Sequence, residues 1–191
     1  MKKNLVISIR LTVVTMILFG VVYPLVITGI ARVAGPNNGK GETIATGEKV
    51  VGFEVIGQSF TSGKYFNSRP SAVGYNAAAT GGSNKGPSNP DYLAQVEQRI
   101  TEFLANNPTV KREDIPVDLV TASGGGLDPH ISPEGALVQV PRIATVRGLD
   151  AAAVQALVEK QTEKPLLGLF GPPRVNVLKL NIALDELRSE K

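Results

Sequence analysis

The sequence predicts one transmembrane helix followed by a single compact α+β domain. Residues 11–31 form a run of twenty-one residues without a charge. Beyond it, strand-like stretches and amphipathic helical stretches follow one another in mixed order, which is typical of an α+β domain. About 160 residues remain after the run, which is enough for one domain with a real core and hardly enough for two.

The uncharged run is long enough to cross a bilayer. At about 1.5 Å per residue, a helix over Leu11–Ala31 measures about 31 Å, which matches a hydrocarbon core. Pro24 is tolerated in a membrane helix where neighbouring groups satisfy the freed carbonyl. A cleaved signal peptide is the main alternative, but its apolar part usually has about 7–15 residues. A buried soluble helix is a further alternative, although no second stretch of comparable apolarity exists to cover it.

The charges beside the run predict its orientation. Lys2, Lys3 and Arg10 precede it, whereas only Arg32 follows closely. Because cytoplasmic flanks carry the excess of Lys and Arg, we expect the N-terminus in the cytoplasm and the domain outside it. The expected protein is a single-pass protein of the cell (inner) membrane. Its predicted parts are a cytoplasmic N-terminus at 1–10, a transmembrane helix at 11–31, a connector at 32–48 and an extracytoplasmic domain at 49–191.

Composition excludes several classes of function. The 20 Lys and Arg exceed the 17 Asp and Glu by three, and the three cations before the run account for this excess. The remainder carries no net charge, so no nucleic-acid-binding footprint remains. The chain has no cysteine, which excludes disulfides, Cys-based catalysis and Cys metal ligands.

Two segments before residue 90 carry the first structural predictions for the domain. Apolar residues alternate in part from Lys49 to Phe60, which predicts one or two short strands. Tyr65–Pro90 is a polar segment, and structureless loops beyond about 12–15 residues are uncommon unless they are functional or disordered. Its Asn, Arg and Tyr content favours an ordered loop that makes specific contacts, and a plain linker is the alternative.

Three helical segments and a final strand are predicted after this loop. Apolar spacing predicts a helix that begins at Pro90 and continues to the stop signal Asn106-Asn107-Pro108. It also predicts a second helix that Pro141 bends or restarts, and a third with Val154, Leu157 and Val158 on its buried face. Alternation over 174–182 predicts a strand. The side chains expected to cap the helices are those of Asn89, Ser132 and Asp150.

One glycine-rich stretch has the composition of a phosphate-binding loop. Residues 80–86 read TGGSNKG, but Lys85 precedes Gly86, so the Walker order is not kept. The stretch also does not lead from a strong strand directly into a helix. A turn-rich contact loop is therefore the favoured interpretation.

The only histidine suggests a second candidate site. Ser123 and His130, with a nearby acid, would suit a membrane-anchored extracytoplasmic serine hydrolase, but the G-x-S-x-G pattern fails because Thr121 occupies its first position. His130 with Asp118 or Asp128 is a thin set of metal ligands. Asp128 would equally close an Asx-turn before a proline, which makes a structural role for this pair the favoured interpretation.

Four arginines stand beside Pro or Gly in loop-like contexts. They are Arg69, Arg142, Arg147 and Arg174. Because guanidinium groups suit fixed contacts with carboxylates and carbonyls, we expect an internal latch or a partner interface. Ordinary surface charge is the alternative.

Several segments together match a known family. They are YFNSRPSAVGYN, GGSNKGPSNP, VDLVTASGGGLDPHISPEGALVQVPRIATVRG and PLLGLFGPPRVNVLKLNIALD. They cover most of the domain in family order, and SGGGLDPHIS followed by PRIA and RG is highly specific. The chain resembles the family of C subunits of Kdp-type potassium-transporting ATPases (KdpC). One departure is Pro172, where the family pattern has an acidic residue.

The resemblance implies an accessory, non-catalytic subunit of a high-affinity, ATP-driven potassium uptake complex. Its implied partners are a channel-like potassium-binding subunit, a P-type ATPase subunit and a small membrane subunit. The complex would transport K⁺ and use ATP at the pump subunit. The residues agree, because the chain has neither a P-loop nor an Asp-Lys-Thr-Gly sequence, and one helix does not make a potassium pathway.

Two mechanisms follow from the resemblance. One is a catalytic chaperone that raises the ATP affinity of the pump subunit. The predicted topology separates the domain from cytoplasmic ATP and so favours assembly and stabilisation, with the domain over the outer entrance of the channel-like subunit. Gly20 and Gly29 would allow close helix contact in the membrane.

The resemblance assigns no catalytic, cofactor-binding or metal-binding residue. It implies structural or partner contacts for a set of motif residues: Arg69, Asn76, Ser83, Asn84, Asn89, Ser123, Asp128, His130, Gln139, Arg142, Arg147, Arg174 and Asn176.

Overall fold

The uncharged run lies inside a helix that extends beyond it at both ends. A computed structural model describes residues 2–189. Within them, α1 (Lys2–Ile17) continues through a π-helical turn (Leu18–Val22) into α2 (Tyr23–Ala34), and these 33 residues form one helix long and apolar enough to cross a membrane. Met1, from the predicted segment 1–10, and residues 190–191, from the predicted domain, lie outside the described residues.

Pro24 accounts for the π-helical turn. Proline at the second position of α2 has no N–H to offer the Gly20 carbonyl four residues earlier. Directly before it the helix widens, and the Tyr23 N–H donates to the Leu18 oxygen, five residues back. The helix therefore continues through Pro24 by widening a single turn.

The chain divides into two compact units, one ending at Thr43 and the other beginning at Ile44. After the helix, the first unit contains a short 3-10 turn (Pro36–Gly39). β1 (Thr43–Thr46) lies inside the predicted connector 32–48 and pairs with β2 (Lys49–Phe53). The sequence did not predict β1. Only Ile44 is half-buried in this strand, so the strand has no alternation of apolar and polar residues.

The remaining strands form a second small antiparallel sheet. β3 (His130–Ile131) and β4 (Thr162–Glu163) both pair with β5 (Arg174–Asn176), so that β5 lies in the centre. The register places His130 opposite Asn176 and Glu163 opposite Arg174. Two small sheets among helices confirm the predicted α+β class.

The predicted helices and their caps are confirmed. They are α3 (Pro90–Asn106), α4 (Pro133–Leu137), α5 (Val140–Arg147) and α6 (Ala151–Gln161). The Asn89 side chain accepts from the Tyr92 N–H at 3.0 Å, as a cap residue does. Ser132 and Asp150 cap α4 and α6 in the same way. Pro141 is the second residue of α5, so the chain restarts there as predicted.

The predicted strand over 174–182 is wrong beyond Asn176. α7 (Val177–Ser189) begins there instead. Val177, Leu180 and Leu184 are each at most 1% exposed and recur at helical spacing. The short alternation at Val175–Val177 concealed this longer helical period.

One hydrophobic core joins the helices to the second sheet and to the start of the long polar segment. Phe66, from that segment, is fully buried in it. The members of the core are Phe66, Leu119, Ile131, Ala136, Val140, Ile143, Ala144, Val154, Val158, Val175, Val177, Leu180 and Leu184. Because Phe66 is part of the core, the segment that follows β2 is packed into the domain rather than lying on it as a linker.

Candidate functional site

Four side chains hold the beginning of the long polar segment against the core, three of them on α5 and α7 and one in the turn between α4 and α5. We call them the polar latch: Gln139, Arg142, Arg147 and Asn181. Arg142 lies on α5 and is only 8% exposed. Its Nε donates to Asn107 Oδ1 at 2.9 Å, and its Nη1 donates to the carbonyls of Gly63 and Tyr65 at 2.5 and 3.1 Å.

The second Nη group of Arg142 connects it to Gln139. Nη2 donates to Gln139 Oε1 at 2.8 Å and to Asn67 Oδ1 at 3.1 Å. Gln139 is fully buried, and the same Oε1 accepts from the Asn67 N–H at 2.8 Å. Its Nε2 donates to the Gly135 carbonyl at 2.8 Å. Every polar atom of the Gln139 side chain is therefore used within the domain.

Asn181 on α7 forms hydrogen bonds with the backbone of Phe66, the residue of the segment that is buried in the core. Its Oδ1 accepts from the Phe66 N–H at 2.8 Å, and its Nδ2 donates to the Phe66 carbonyl at 3.0 Å. This pair of bonds replaces the partners that a strand would have given Phe66. The loop can therefore place an apolar side chain in the core without burying an unpaired peptide group.

Arg147, at the end of α5, completes the polar latch. Its Nε donates to the Lys64 carbonyl at 2.7 Å, and its Nη2 lies 2.7 Å from Asp185 Oδ1. The guanidinium also stacks over Tyr65, 4.8 Å from the ring centroid. Its side chain is only 4% exposed. The structure thus places Arg142 and Arg147 in internal contacts.

The polar latch contains a buried positive charge, the guanidinium of Arg142. Burial lowers the pKa of Arg142, and the oxygens that accept its hydrogen bonds all belong to neutral amides and carbonyls. The guanidinium remains charged at neutral pH because its ordinary pKa is so high. A buried cation of this kind is tolerated only when its donors are satisfied, so the loop and Arg142 depend on each other.

Asn176 makes a similar contact with the end of the first hairpin. Its Nδ2 donates to the Glu54 carbonyl at 2.8 Å, and its Oδ1 accepts from the Lys179 N–H at 3.1 Å. Lys179 also pairs with the Glu54 carboxylate. Asn176 therefore joins β5 and the first turn of α7 to the chain that follows β2.

A second group of predicted residues lines an open groove of about 1390 Å³. Arg69, Asp128, His130 and Arg174 all lie on it. Asp128 Oδ1 accepts from the His130 N–H at 3.0 Å, which is the Asx-turn that the sequence predicts, and lies 3.4 Å from His130 Nδ1. Its Oδ2 accepts from Arg69 Nη1 at 3.1 Å.

The environment of Asp128 favours its charged form. Burial raises the pKa of this carboxyl, but the hydrogen bonds from His130 and the charge of Arg69 outweigh burial and hold the pKa below its usual value. Arg174, at the other end of the groove, donates to Glu163 Oε2 at 2.9 Å. The cluster therefore contains the ion pairs of Arg69 with Asp128 and of Arg174 with Glu163, and an Asx-turn.

The geometry does not assemble a serine hydrolase. Ser123 is 8% exposed, and its buried Oγ has no hydrogen-bond partner among the described residues. Ser132, the hydroxyl closest to His130 in sequence, caps α4 and donates to Asp118 at 3.1 Å. Neither hydroxyl donates to His130 in the described part of the chain, so the histidine lacks the nucleophile that this chemistry needs.

The two glycine-rich stretches pack against each other. The Gly81 N–H donates to the Gly125 carbonyl at 3.1 Å, and Ser71 Oγ donates to the Gly126 carbonyl at 2.6 Å. Gly126 has φ of +70°, and a Cβ there would lie 2.9 Å from a methyl of Val73. These glycines allow one loop to approach another, and Gly81 is already occupied with a partner inside the protein.

The remaining predicted residues lie apart from both groups. Asn76, Ser83 and Asn84 are exposed in the loop, where Asn76 Oδ1 accepts from the Ala78 N–H at 3.0 Å. Asn89 is the N-cap of α3. Across residues 2–189, no group of three or more His, Asp and Glu side chains is placed to hold a metal ion.

Sequence reasoning missed Asn181 and an exposed apolar loop. Asn181 was hidden by the incorrect strand over 174–182, and its signal was an Asn four residues after Val177 on an apolar helical face. Leu166, Leu167, Leu169 and Phe170 are 64–81% exposed. Four large apolar residues within a charge-free stretch between two prolines were the available signal for this loop.

Comparisons with known proteins agree with the resemblance. The family model described as "KdpC: K+-transporting ATPase, c chain" matches residues 5–186. A protein of Flavobacterium johnsoniae is 59% identical over 97% of this chain and 100% of its own length. A protein of Bacteroides fragilis is 52% identical over 98% and 99% of the two chains, and one of Bacillus cereus is 46% identical over 97% and 98%. Each of these relatives is named "Potassium-transporting ATPase KdpC subunit".

Proposed function

This chain belongs to the KdpC family of K⁺-transporting ATPase c chains, and from that premise we propose that it is a non-catalytic subunit that assembles and stabilises the transport complex. Its proposed partners are a channel-like potassium-binding subunit, a P-type ATPase subunit and a small membrane subunit. The chain binds no cofactor of its own in this proposal. ATP is used, and K⁺ is moved, by the other subunits.

The polar latch is the observation that carries the proposal of a structural role. Its four side chains bond to groups of the chain itself, namely backbone, side-chain amides and, for Arg147, the Asp185 carboxylate, and Arg142 uses all its nitrogens in this way. A catalytic side chain must be free to reach a substrate, whereas these four side chains already form hydrogen bonds that hold the loop in place. A rigid domain on a membrane anchor is suited to holding other subunits in place.

Topology supports assembly over direct action on ATP. Lys2, Lys3 and Arg10 before the helix and Arg32 after it favour a cytoplasmic N-terminus and an extracytoplasmic domain. Since ATP is cytoplasmic, a domain outside the cell does not contact it. A catalytic chaperone that raises the ATP affinity of the pump subunit would then have to act through the membrane helix or through a partner.

Protease accessibility tests the topology directly. Spheroplasts that express the full chain are treated with a protease before and after permeabilisation, with a cytoplasmic protein as the control for leakage. We expect the domain after Thr43 to be digested in intact spheroplasts. Protection until permeabilisation would place the domain in the cytoplasm and would remove the argument against contact with ATP.

Co-purification tests complex membership and role. The tagged full chain, isolated from membranes that also contain the other ATPase subunits, should bring those subunits with it. Membranes without the chain should yield less of the remaining assembled complex. A chain that purifies alone, or a complex that assembles fully without it, would contradict the proposed function.

A further inference from the structure

An exposed apolar loop projects from the three-stranded sheet between β4 and β5. The apolar loop, residues 165–173, contains no charged residue. Leu166 and Phe170 are 70% and 64% exposed, and Leu167 and Leu169 are each 81% exposed. Single exposed apolar residues are ordinary, but four large ones in one loop form the kind of patch that marks an interaction site.

Internal hydrogen bonds hold the apolar loop in shape. The Leu166 N–H donates to the Phe170 carbonyl and the Phe170 N–H donates to the Leu166 carbonyl, each at 3.0 Å. The Gly168 N–H donates to the Pro165 carbonyl at 2.9 Å. The leucines therefore lie on a hydrogen-bonded turn. Because this loop is already ordered, it loses less conformational entropy when a partner binds.

The backbone at Leu167 is an independent sign of function. This residue has φ of +55°, a region that suits glycine or asparagine and costs a leucine free energy. The same leucine leaves most of its surface in water. A residue that is unfavourable in both respects gives no stability to the isolated domain, and a contact with another molecule would offset that cost.

The apolar loop forms one wall of the groove described above. Leu166, Phe170 and Pro172 line this wall, and Ile115 and Val117 line another, with Val117 70% exposed. Asp128 and His130 lie on the same groove. The groove therefore offers apolar walls along a channel large enough for an extended segment of polypeptide.

The charges of the groove determine which kind of partner it suits. Asp128 and Glu163 are paired with Arg69 and Arg174. Among the described residues that line the groove, Lys164 is the one cation without an ion pair. The lining carboxylates without an ion pair are more numerous. These unpaired carboxylates belong to Glu113, Asp114, Asp118 and Glu134. The groove is therefore apolar and net negative.

From this combination we propose that the groove and the apolar loop dock an extended segment of another ATPase subunit that carries apolar and basic residues. The inference rests on the proposed function and adds the surface and the chemistry of its partner. Anionic lipid headgroups would face these carboxylates as like charges, which disfavours a membrane surface as the occupant. A second copy of this chain would bring the same excess of carboxylates to the contact, which disfavours self-association.

Site-specific crosslinking in the assembled complex tests the proposal. A photoreactive diazirine analogue of leucine replaces Leu167 in the full chain, which is expressed with the other ATPase subunits. The same analogue at Leu93, 53% exposed on α3 and outside the groove, is the matched control. We expect an adduct with an identified ATPase subunit from position 167 and none above background from position 93.

A charge variant tests whether the carboxylates contribute. Glu113→Lys reverses one unpaired charge of the groove, and Glu159→Lys makes the same change on the exposed face of α6. We expect E113K to lower the adduct yield from position 167 by about fivefold or more, as loss of charge complementarity does, and E159K to leave it unchanged. Higher salt should lower the wild-type yield and have less effect on E113K.

The outcomes separate this inference from the proposed function. Adducts from position 167 with lipid only, with a second copy, or with nothing would overturn the docking surface, while co-purification of the subunits would leave the proposed function standing. Recovery of no other subunit with the wild-type chain would overturn both. Equal adduct yields for E113K and E159K would show that the groove carboxylates do not contribute to binding, and would overturn the inference that the partner segment is basic.

Discussion

Replacement of Arg142 by alanine should open the polar segment that this residue holds. The guanidinium donates to oxygens on both sides: to Asn107 and Gln139 in the interior, and to the carbonyls of Gly63 and Tyr65 on the loop. R142A removes all of these donors at once. The loop then loses its bonds to the middle of α5, although Asn181 on α7 and Arg147 at the end of α5 still hold it.

The magnitude follows from the acceptors left behind. Asn107 is 1% exposed, so its Oδ1 loses its donor where water has poor access, whereas Gln139 Oε1 keeps the Asn67 N–H as a donor. An unsatisfied buried acceptor costs about 1–3 kcal/mol, whereas water can replace the donor at the more exposed Gly63 carbonyl. We expect a loss of about 1–3 kcal/mol in the free energy of unfolding, which corresponds to a Tm lower by roughly 2–12 °C in a chain of this size.

The assay compares two arginine-to-alanine variants of the full chain in detergent. R142A is the test, and Arg112→Ala is the control, because Arg112 forms a two-bond pair with Glu97 on the surface, with side chains 56% and 54% exposed. Thermal unfolding is followed by protease resistance, and amide hydrogen exchange is measured over residues 60–67. R142A should lower Tm and speed exchange in this segment, and R112A should do neither to a comparable degree.

Two results would refute the reasoning. The first is a Tm for R142A no lower than that of R112A, which would mean that the buried acceptors find other donors at no cost. The second is unchanged exchange at Phe66 and Asn67 despite a lower Tm, which would mean that Arg142 stabilises the helices and does not hold the loop.

Two further changes test the groove and the glycine loops. Asp128 has a pKa held below its usual 3.8, so acid favours the unfolded state, which binds the proton more readily. Stability should therefore fall as pH drops below about 4, and Asp128→Asn should flatten that slope in unfolding measured across pH 2–6. Gly126→Ala places a Cβ at φ of +70° and 2.9 Å from a Val73 methyl, so it should cost at least about 1–2 kcal/mol. Gly124→Ala, with no atom within 4 Å and no positive φ, should change Tm far less.

These two predictions also have results that would contradict them. An acid slope for D128N as steep as that of the wild-type chain would show that other carboxylates control acid stability. Equal Tm values for G126A and G124A would show that the contact between the glycine loops adapts without strain.

Local chemistry predicted the helices because it acts over a few residues. Asn89, Ser132 and Asp150 accept the first N–H groups of their helices as expected, and Pro141 restarts the chain between α4 and α5. The strand over 174–182 was predicted wrongly because Val175 and Val177 fit a period of two. The period of Val177, Leu180 and Leu184 becomes visible only over a longer window.

The sequence singled out most residues of the polar latch, Asn181 excepted, and several of the groove, but it did not predict how they group. Arg142 and Arg147 belong to the polar latch, whereas Arg69 and Arg174 pair with carboxylates on the groove. All four stand beside Pro or Gly in the sequence, so the local pattern does not distinguish them. The difference lies in partners far along the chain, such as the Gly63 carbonyl for Arg142, 79 residues away.

The sequence by itself determined the N-terminal helix that is long and apolar enough to cross a membrane, the α+β class, the family and the helix caps. Each depends on local composition, spacing or motif identity, which folding does not change. Only the tertiary structure decided which polar side chains are latched inside, which line the groove and which apolar loop stays exposed. These outcomes depend on burial and on hydrogen bonds between distant residues, and a buried polar group must find its partner wherever the packed chain brings one within reach.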